Sequence, residues 1–206
     1  MKLKRTLILL LLIVMNKAYA QEGFQLGLEA SPAWHANMQR NKITGLRTST
    51  GGYGFNVGVP VKWWFSDGIA LQTGLTFELM LFDERINKNL ISSNRHGSLH
   101  LPVMLNYALS GNWYLLFGGG VNYNVLNQRW TTIGKANLTA VTNTFQPYIG
   151  VGISTLMERE GGVFELGAQS RFHFIDLYKP SIFSDGDFTN RILSFDLILR
   201  YYLLNR

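Results

Sequence analysis

The chain has 206 residues, in which 19 lysines and arginines face 13 acidic residues for a formal net charge of +6, and it has no cysteine. The lack of cysteine excludes disulfides, thiol chemistry and lipid attachment at an amino-terminal cysteine. Four of the basic residues lie in the first 20 positions, so the remainder has 15 basic and 13 acidic residues, a charge of +2. This small excess gives no reason to expect binding to nucleic acid.

The first 20 residues have the order of a secretory signal peptide. Three basic side chains among the first five residues precede an apolar run over 7–15, and Ala18-Tyr19-Ala20 follows. We predict a signal peptide over 1–20 and one domain over 21–206. The apolar run is too short for a membrane-spanning helix, and no later segment is apolar over the ~18 residues that such a helix needs.

Eight segments after Ala20 alternate between apolar and polar residues. Between Ser98 and Ser110, for example, Leu99, Leu101 and Val103 share one parity, and polar residues such as His100 take the other. A period of two predicts β-strands, and these runs are longer than the five or six residues of ordinary strands. The predicted strands cover 22–34, 52–65, 69–82, 98–110, 113–126, 144–157, 163–178 and 192–204.

The connections between these strands alternate long and short, beginning with a long loop over 35–50. Two of the short turns are Ser66-Asp67-Gly68 and Ser110-Gly111-Asn112. This pattern predicts an all-β, eight-stranded, antiparallel up-and-down transmembrane β-barrel in the bacterial outer membrane, with both mature termini in the periplasm. Aromatic residues near both sets of connections fit two interfacial belts; they are Trp63, Phe65 and Trp113 near short turns, and Trp34 and Trp130 near long loops.

The inward parity carries charged side chains that we expect to pair, since a barrel of eight strands is just wide enough for its own side chains to fill. Folding the last two strands about the centre of their loop sets His173 opposite Asp196, and Glu78 is level with His100. A structural plug is the first interpretation and a path for protons or small ions the alternative. The predicted lumen network is Glu29, Lys62, Glu78, His100, Glu165, Arg171, His173, Asp196 and Arg200.

The long loops carry more basic than acidic residues. Because the lipopolysaccharide of the outer leaflet is rich in phosphate, we expect these cations to face it. Outer-membrane lipid, lipopolysaccharide and the barrel-assembly machinery are therefore the expected partners, and nucleic acid is not. The predicted lipopolysaccharide-facing residues are Arg40, Lys42, Arg47, Lys88, Arg95, Arg129 and Lys135.

No motif predicts a cofactor, a metal site or catalysis. His96 and His100 would stand about 13 Å apart on an extended strand, too far to share a metal ion. The spacing of His96 and Ser98 is similar to the His-x-Ser of outer-membrane lipid A deacylases, but no acid is placed to orient the histidine. We expect a non-enzymatic barrel, with a lipid A-modifying enzyme and a soluble periplasmic barrel as alternatives.

The predicted fourth strand, Leu99-His100-Leu101-Pro102-Val103-Met104-Leu105-Asn106-Tyr107, resembles the LxIPLLLKY-type strand of PorT-like outer-membrane β-barrel proteins. The likeness extends to the glycine-rich strand that follows, over 116–122. His100 stands where that family usually has an acid, and Asn106 where it usually has lysine. The resemblance implies a barrel and a role as an accessory protein of secretion across the outer membrane, with secretion-system proteins as partners.

Overall fold

The computed structural model describes residues 23–86, 89–179 and 188–203, in which nine antiparallel strands and one turn of 3-10 helix form. Eight strands make a closed ring in the order β1-β2-β3-β4-β5-β7-β8-β9, and β9 pairs with β1. No helix in these ranges is long and apolar enough to cross a membrane. The strands are β1 (Phe24–Asn41), β2 (Arg47–Ser66), β3 (Ile69–Ile86), β4 (Asn89–Ser110), β5 (Trp113–Thr131), β6 (Gly134–Asn137), β7 (Phe145–Arg159), β8 (Gly162–His173) and β9 (Phe188–Leu203), and the helix is Thr139–Val141.

The predicted eight-stranded barrel is confirmed, and the alternation of the sequence explains it. Outward side chains are apolar and exposed, as at Leu101 (54%) and Phe117 (61%), whereas their inward neighbours are buried and mostly polar. A barrel with polar groups inside needs an apolar medium outside, because water would otherwise meet a continuous apolar surface. Trp63 and Phe65 are exposed beside the turn that joins β2 to β3, and their rings lie 5.4 Å apart.

Most of the predicted long loops are instead continuations of the strands. The ladder between β1 and β2 runs on from Trp34↔Tyr53 to Arg40↔Arg47, which leaves residues 42–46 as the connection. In the same way β4 and β5 stay paired up to Ser92↔Thr131. Polar sequence favours a loop, but the polar segments beyond each paired strand satisfy their backbone groups by continuing the ladder. We call this side of the barrel the long-loop end, and the side of the turns at 67–68, 111–112 and 160–161 the short-turn end.

The connection from β8 to β9 departs from the prediction in the opposite way. The predicted strand over 163–178 ends at His173, and residues 174–179 turn into the long-loop end of the barrel. Backbone bonds from Leu177 N to Asn190 O (2.6 Å) and from Lys179 N to Val141 O (2.9 Å) hold the segment there. This segment therefore covers part of the lumen instead of lengthening its wall.

Pro60 and Pro102 lie at gaps in the ladders, as expected for residues without an N–H donor. The β1–β2 ladder has no pair between Leu26↔Val61 and Glu29↔Gly58, and the β3–β4 ladder none between Thr73↔Val103 and Thr76↔His100. Close approach also explains two glycines of β5. A Cβ on Gly118 would lie 2.2 Å from Val103 O, and one on Gly120 would lie 2.6 Å from the Tyr148 hydroxyl.

Candidate functional site

The lumen holds all nine of the predicted network residues, with eight of them buried and Glu29 half-buried. Along β8, inward side chains run from Glu165 near the short-turn end through Arg171 to His173. They belong to two charged layers separated by a small apolar cluster of Met104, Leu116 and Ile198. The lumen of the barrel is therefore filled in layers along its axis.

The middle layer is organised by the guanidinium of Arg171. It donates from Nε to Asp196 Oδ2 (2.7 Å), from Nη2 to Asp196 Oδ1 (2.8 Å) and from Nη2 to Glu78 Oε1. Asp196 is on the neighbouring strand β9, but Glu78 is on β3, which is four strands away in the ring of eight in either direction. One side chain thus links diametrically opposite walls of the barrel.

His100 completes this layer, and its hydrogen bonds assign its tautomer. Arg171 Nη1 donates to Nδ1 over 2.6 Å, so Nδ1 is an acceptor and Nε2 carries the proton. Nε2 then donates to Glu78 Oε2, 2.7 Å away. Asp196 Oδ1 also accepts from Asn56 Nδ2 on β2 (3.1 Å). Both carboxylates of the layer therefore have several donors.

The second charged layer lies nearer the short-turn end and centres on Glu165. Its carboxylate is 3.2 Å from Lys62 Nζ and 3.3 Å from Arg200 Nη1, and it accepts from the hydroxyls of Ser154 (2.7 Å) and Tyr202 (3.0 Å). Arg200 also donates from Nε to Glu29 Oε2 over 3.0 Å. Every ionised group of this layer that the structure describes has an opposite charge within salt-bridge distance.

Aromatic and aliphatic side chains close the lumen at the short-turn end. Tyr202, Leu156 and Val163 form a buried cluster, and Trp64 and Tyr114 pack against it with their rings 5.4 Å apart. The sequence interpretation missed this cluster, although the inward parity of Trp64 was a signal that could have found it.

The predicted alignment of His173 with Asp196 is wrong. Asp196 pairs with Gln169, four residues before His173, and Arg171 faces Ser194. The predicted alignment requires a symmetrical connection between β8 and β9, whereas residues 174–179 fold inward and make it asymmetrical. His173 packs on Tyr148 with ring centroids 5.4 Å apart, and its ring nitrogens have no hydrogen-bond partner within the described residues. Glu78 pairs with Ser98 in the ladder and reaches His100 diagonally.

The geometry of His96 and Ser98 does not match that of an ester-hydrolysing pair. His96 Nε2 bonds to Asn124 Oδ1 (2.9 Å), and Ser98 Oγ lies 3.2 Å from His100 Nε2. That same nitrogen already serves Glu78, whereas a catalytic triad has the serine and the acid on different nitrogens. Ser98 is also fully buried. Among the described residues no group of three His, Cys, Asp or Glu could hold a metal ion.

The long-loop end of the lumen contains a cavity of about 340 Å³. Its apolar floor is Phe82 and Leu177, which pack with Met80 and Ile192 in a buried cluster. Its polar wall comes from β1, β4, β5 and β9. A bulge at Val125 reverses the parity of β5, so that Asn127 and Arg129 point into the cavity. The polar residues that line the cavity include Asn37, Asn94, His96, Asn190, Lys42 and Lys179.

The predicted loop cations fall into three groups. Arg40, Lys42 and Arg47 line an open groove of about 780 Å³ on the wall near β1, together with Arg191, Met38 and Phe172. Arg95 and Lys135 both lie over the Trp130 ring, 4.6 and 5.0 Å from its centroid. Arg129 lines the cavity, and Lys88 lies outside the described residues, as does the predicted signal peptide over 1–20.

Comparison with known proteins gives a family but no close relative. No curated protein matches the chain. Among solved structures it is similar to neisserial surface protein A (10% identity, 88% of this chain and 97% of that one, TM-score 0.46), to the attachment invasion locus protein Ail of Yersinia pestis (8%, 86% and 98%, 0.42) and to the outer membrane protein OprG of Pseudomonas aeruginosa (10%, 90% and 98%, 0.41). A family model described as outer membrane protein beta-barrel domain matches residues 18–179, most of the chain. The protein therefore belongs to the family of outer-membrane β-barrel proteins.

Proposed function

We propose that this outer-membrane protein is a non-enzymatic barrel with a closed, ion-paired lumen, which acts at the cell surface through its long-loop end. Residues 1–20 direct export, and the termini and short turns face the periplasm. The arrangement follows the general rule that outer-membrane barrels have short periplasmic turns and long extracellular loops.

The observation that carries a closed lumen is the contact of Arg171 with Glu78 across the full width of the barrel. A buried guanidinium between two carboxylates is stable only while its partners stay in place, since a buried charge without a partner costs several kcal/mol. The layer around Glu165 and the aromatic cluster beside Trp64 add two further obstructions along the same axis. An ion crossing the lumen would have to displace all three.

The test is conductance in planar lipid bilayers, using the refolded full-length protein and an open porin as a positive control. We expect no steady single-channel currents from the wild type, and none from Arg171→Ala, because the short-turn end stays closed. Regular current steps from the wild type would refute the closed lumen. Steps that appear only in Arg171→Ala would identify the middle layer as a gate and refute its role as a structural plug.

The contact with the outer leaflet is proposed from the groove formed by Arg40, Lys42, Arg47 and Arg191. Four basic side chains around an open groove with an apolar base of Met38 and Phe172 fit a phosphate-bearing lipid head group and its acyl chain. Lipopolysaccharide binding is measured by native mass spectrometry from mixed micelles. Arg47→Ala should bind less than Arg159→Ala, which removes the same single positive charge from an exposed arginine at the short-turn end. Equal binding by both variants would reject the groove.

The alternative role, an accessory protein of secretion, is supported by the resemblance of the strand from Leu99 to Tyr107 to PorT-like proteins. Cross-linking in native membranes followed by purification distinguishes the two functions. Recovery of secretion-system proteins with the barrel would favour the accessory role. Recovery of lipopolysaccharide without them would favour the structural and surface-interaction role.

A further inference from the structure

Several of the residues that line the cavity at the long-loop end have buried polar atoms without a hydrogen-bond partner among the described residues. Four hydrogen-bond acceptors that line it have no partner within the described residues: the side-chain oxygens of Asn37, Asn94 and Asn190, and Nδ1 of His96. Asn37 and His96 are 9% and 1% exposed. A buried acceptor without a donor costs about 1–3 kcal/mol, so four beside one cavity favour a bound molecule, water or ligand, that brings donors.

The hydrogen bonds of Asn124 fix the chemistry of His96. Asn124 Nδ2 donates to Asn143 O (2.5 Å) and to Gln146 Oε1 (3.0 Å), so its Oδ1 must accept from His96. Nε2 of His96 is therefore the donor, and in the neutral ring Nδ1 is left as an acceptor without a donor among the described residues. The amide groups of the three asparagines could turn, but a hydroxyl can both donate and accept and would suit either orientation.

The charges around the cavity decide between the two classes of donor-rich ligand. An amine would supply donors, but among the described residues Lys42, Arg129 and Lys179 line the cavity against one acid, Asp176. The carboxylate of Asp176 lies 3.7 Å from Arg191 Nε. The excess of positive charge among these lining residues repels a cationic ligand such as an amine. A neutral ligand rich in hydroxyl groups meets the same acceptors without this cost.

The floor and the size of the cavity narrow the class further. Phe82 and Leu177 form an apolar surface beneath the polar wall, and Tyr178 lies beside them. A sugar ring has hydroxyls at its edge and C–H groups on its faces, so it can satisfy both surfaces at once. The volume of about 340 Å³ falls in the ~300–1,000 Å³ range of small-molecule sites. We propose that this cavity binds a sugar, of mono- or disaccharide size, between the asparagines of its wall and Phe82 of its floor.

This site adds a ligand class to the proposed surface role. It depends on that role only for the side of the membrane from which the sugar enters. Two sources share this chemistry: a dissolved sugar and the glycan of a surface polysaccharide. Binding measured in detergent micelles is independent of conductance. An open lumen would thus refute the closed barrel and leave this site testable, whereas a failure to bind sugar would leave the closed barrel intact.

The experiment is saturation-transfer difference NMR on the full-length protein in micelles. One sample contains D-glucose, D-galactose and N-acetyl-D-glucosamine, a second the core oligosaccharide released from lipopolysaccharide by mild acid, and a third ethanolamine. We expect transfer to ring protons in the first or second sample. Transfer in the first assigns a dissolved sugar, and transfer in the second alone assigns the surface glycan. No transfer to any sugar, or transfer to ethanolamine alone, overturns the proposal.

Variants localise the binding. Asn94→Ala/His96→Ala removes two of the acceptors and should weaken the apparent affinity about tenfold or more, the equivalent of ~1.4 kcal/mol. Thr50→Trp fills the cavity from a partly exposed position of its wall and should abolish transfer. Asn112→Ala, an exposed asparagine at the short-turn end, is the matched control and should bind as the wild type does. Folding of each variant is checked by its heat-modifiable mobility, and undiminished transfer in a folded Thr50→Trp would overturn the proposal.

Discussion

The two ends of the lumen differ in how their space is filled. Around Glu165 four donors surround one carboxylate, and an aromatic cluster seals the space beyond it. Around His96, by comparison, acceptors face a cavity and lack partners among the described residues. A filled, ion-paired layer stabilises the barrel, whereas a cavity lined by polar groups can bind a ligand. Substitutions in the charged layers and at the long-loop end test this difference through their effects on the free energy of unfolding.

The largest effect is expected from Arg171→Ala in the middle layer. It leaves Glu78 and Asp196 buried without their cation, which should cost about 3–5 kcal/mol of unfolding free energy. Urea unfolding in lipid vesicles measures the loss. The triple variant Arg171→Met/Glu78→Gln/Asp196→Asn, which removes the charges together, should recover much of it. A single variant as stable as the wild type would mean that the layer does not hold the barrel together.

Glu165→Gln comes next, at the short-turn end. Glutamine can still accept a hydrogen bond, but Lys62 and Arg200 lose their shared carboxylate, so we expect a loss of about 2–3 kcal/mol. The matched control is Glu158→Gln, the same change at an exposed position of β7, which should shift stability by less than about 0.5 kcal/mol. Equal unfolding curves for the two variants would contradict the role given to this layer.

Leu177→Ala tests the apolar floor of the long-loop end. Leu177 is buried against Met80, Phe82 and Ile192, and its truncation should cost about 2–3 kcal/mol, the lower part of the range for buried leucine. The adjoining cavity should also widen, so that the loss of stability is accompanied by a larger space in a crystal structure. An unchanged unfolding curve would show that residues 174–179 are not packed into the barrel in solution.

The smallest effect is expected at His96, in a pair of variants that compares the two kinds of lumen histidine directly. His96→Leu removes one hydrogen bond, to Asn124, and should change stability by about 1 kcal/mol or less. His100→Leu removes the acceptor of Arg171 and a donor to Glu78 and should cost about 2–3 kcal/mol. Both are followed by urea unfolding. A larger loss of stability in His96→Leu than in His100→Leu would mean that the long-loop end contributes more to stability than the middle layer does.

The barrel itself could be predicted from sequence because its physical signal is local. Leu101, Val103 and Leu105 alternate with inward residues in a way that no helix or two-sided soluble sheet requires, and the turn at Gly111 (φ +54°) fixes where the chain reverses. Pro60 and Pro102 even predicted where the ladders would be interrupted. Each of these features depends on near neighbours in the chain.

The parts that could not be predicted depend on contacts between distant segments. The inward turn of residues 174–179 is stabilised by bonds to Val141 and Asn190, and nothing in its own sequence distinguishes it from a strand. The bulge at Val125 reverses the parity of the residues beyond it, so Arg129 was assigned to a loop although it lines the cavity. The inward charges could be assigned by parity, but which of them meet depends on a register that is set across the ring.

The contact between Arg171 and Glu78 also bears on the order of assembly. Arg171 meets Asp196 on the adjacent strand β9, but Glu78 lies four strands away on β3, so an open sheet keeps Arg171 and Glu78 apart. The pairs of Arg171 with Glu78 and of Lys62 with Glu165 can therefore form only when the sheet curls and its first and last strands meet. Closure of this barrel should accordingly be cooperative, with insertion intermediates that stay ionised and hydrated inside until the final seam forms.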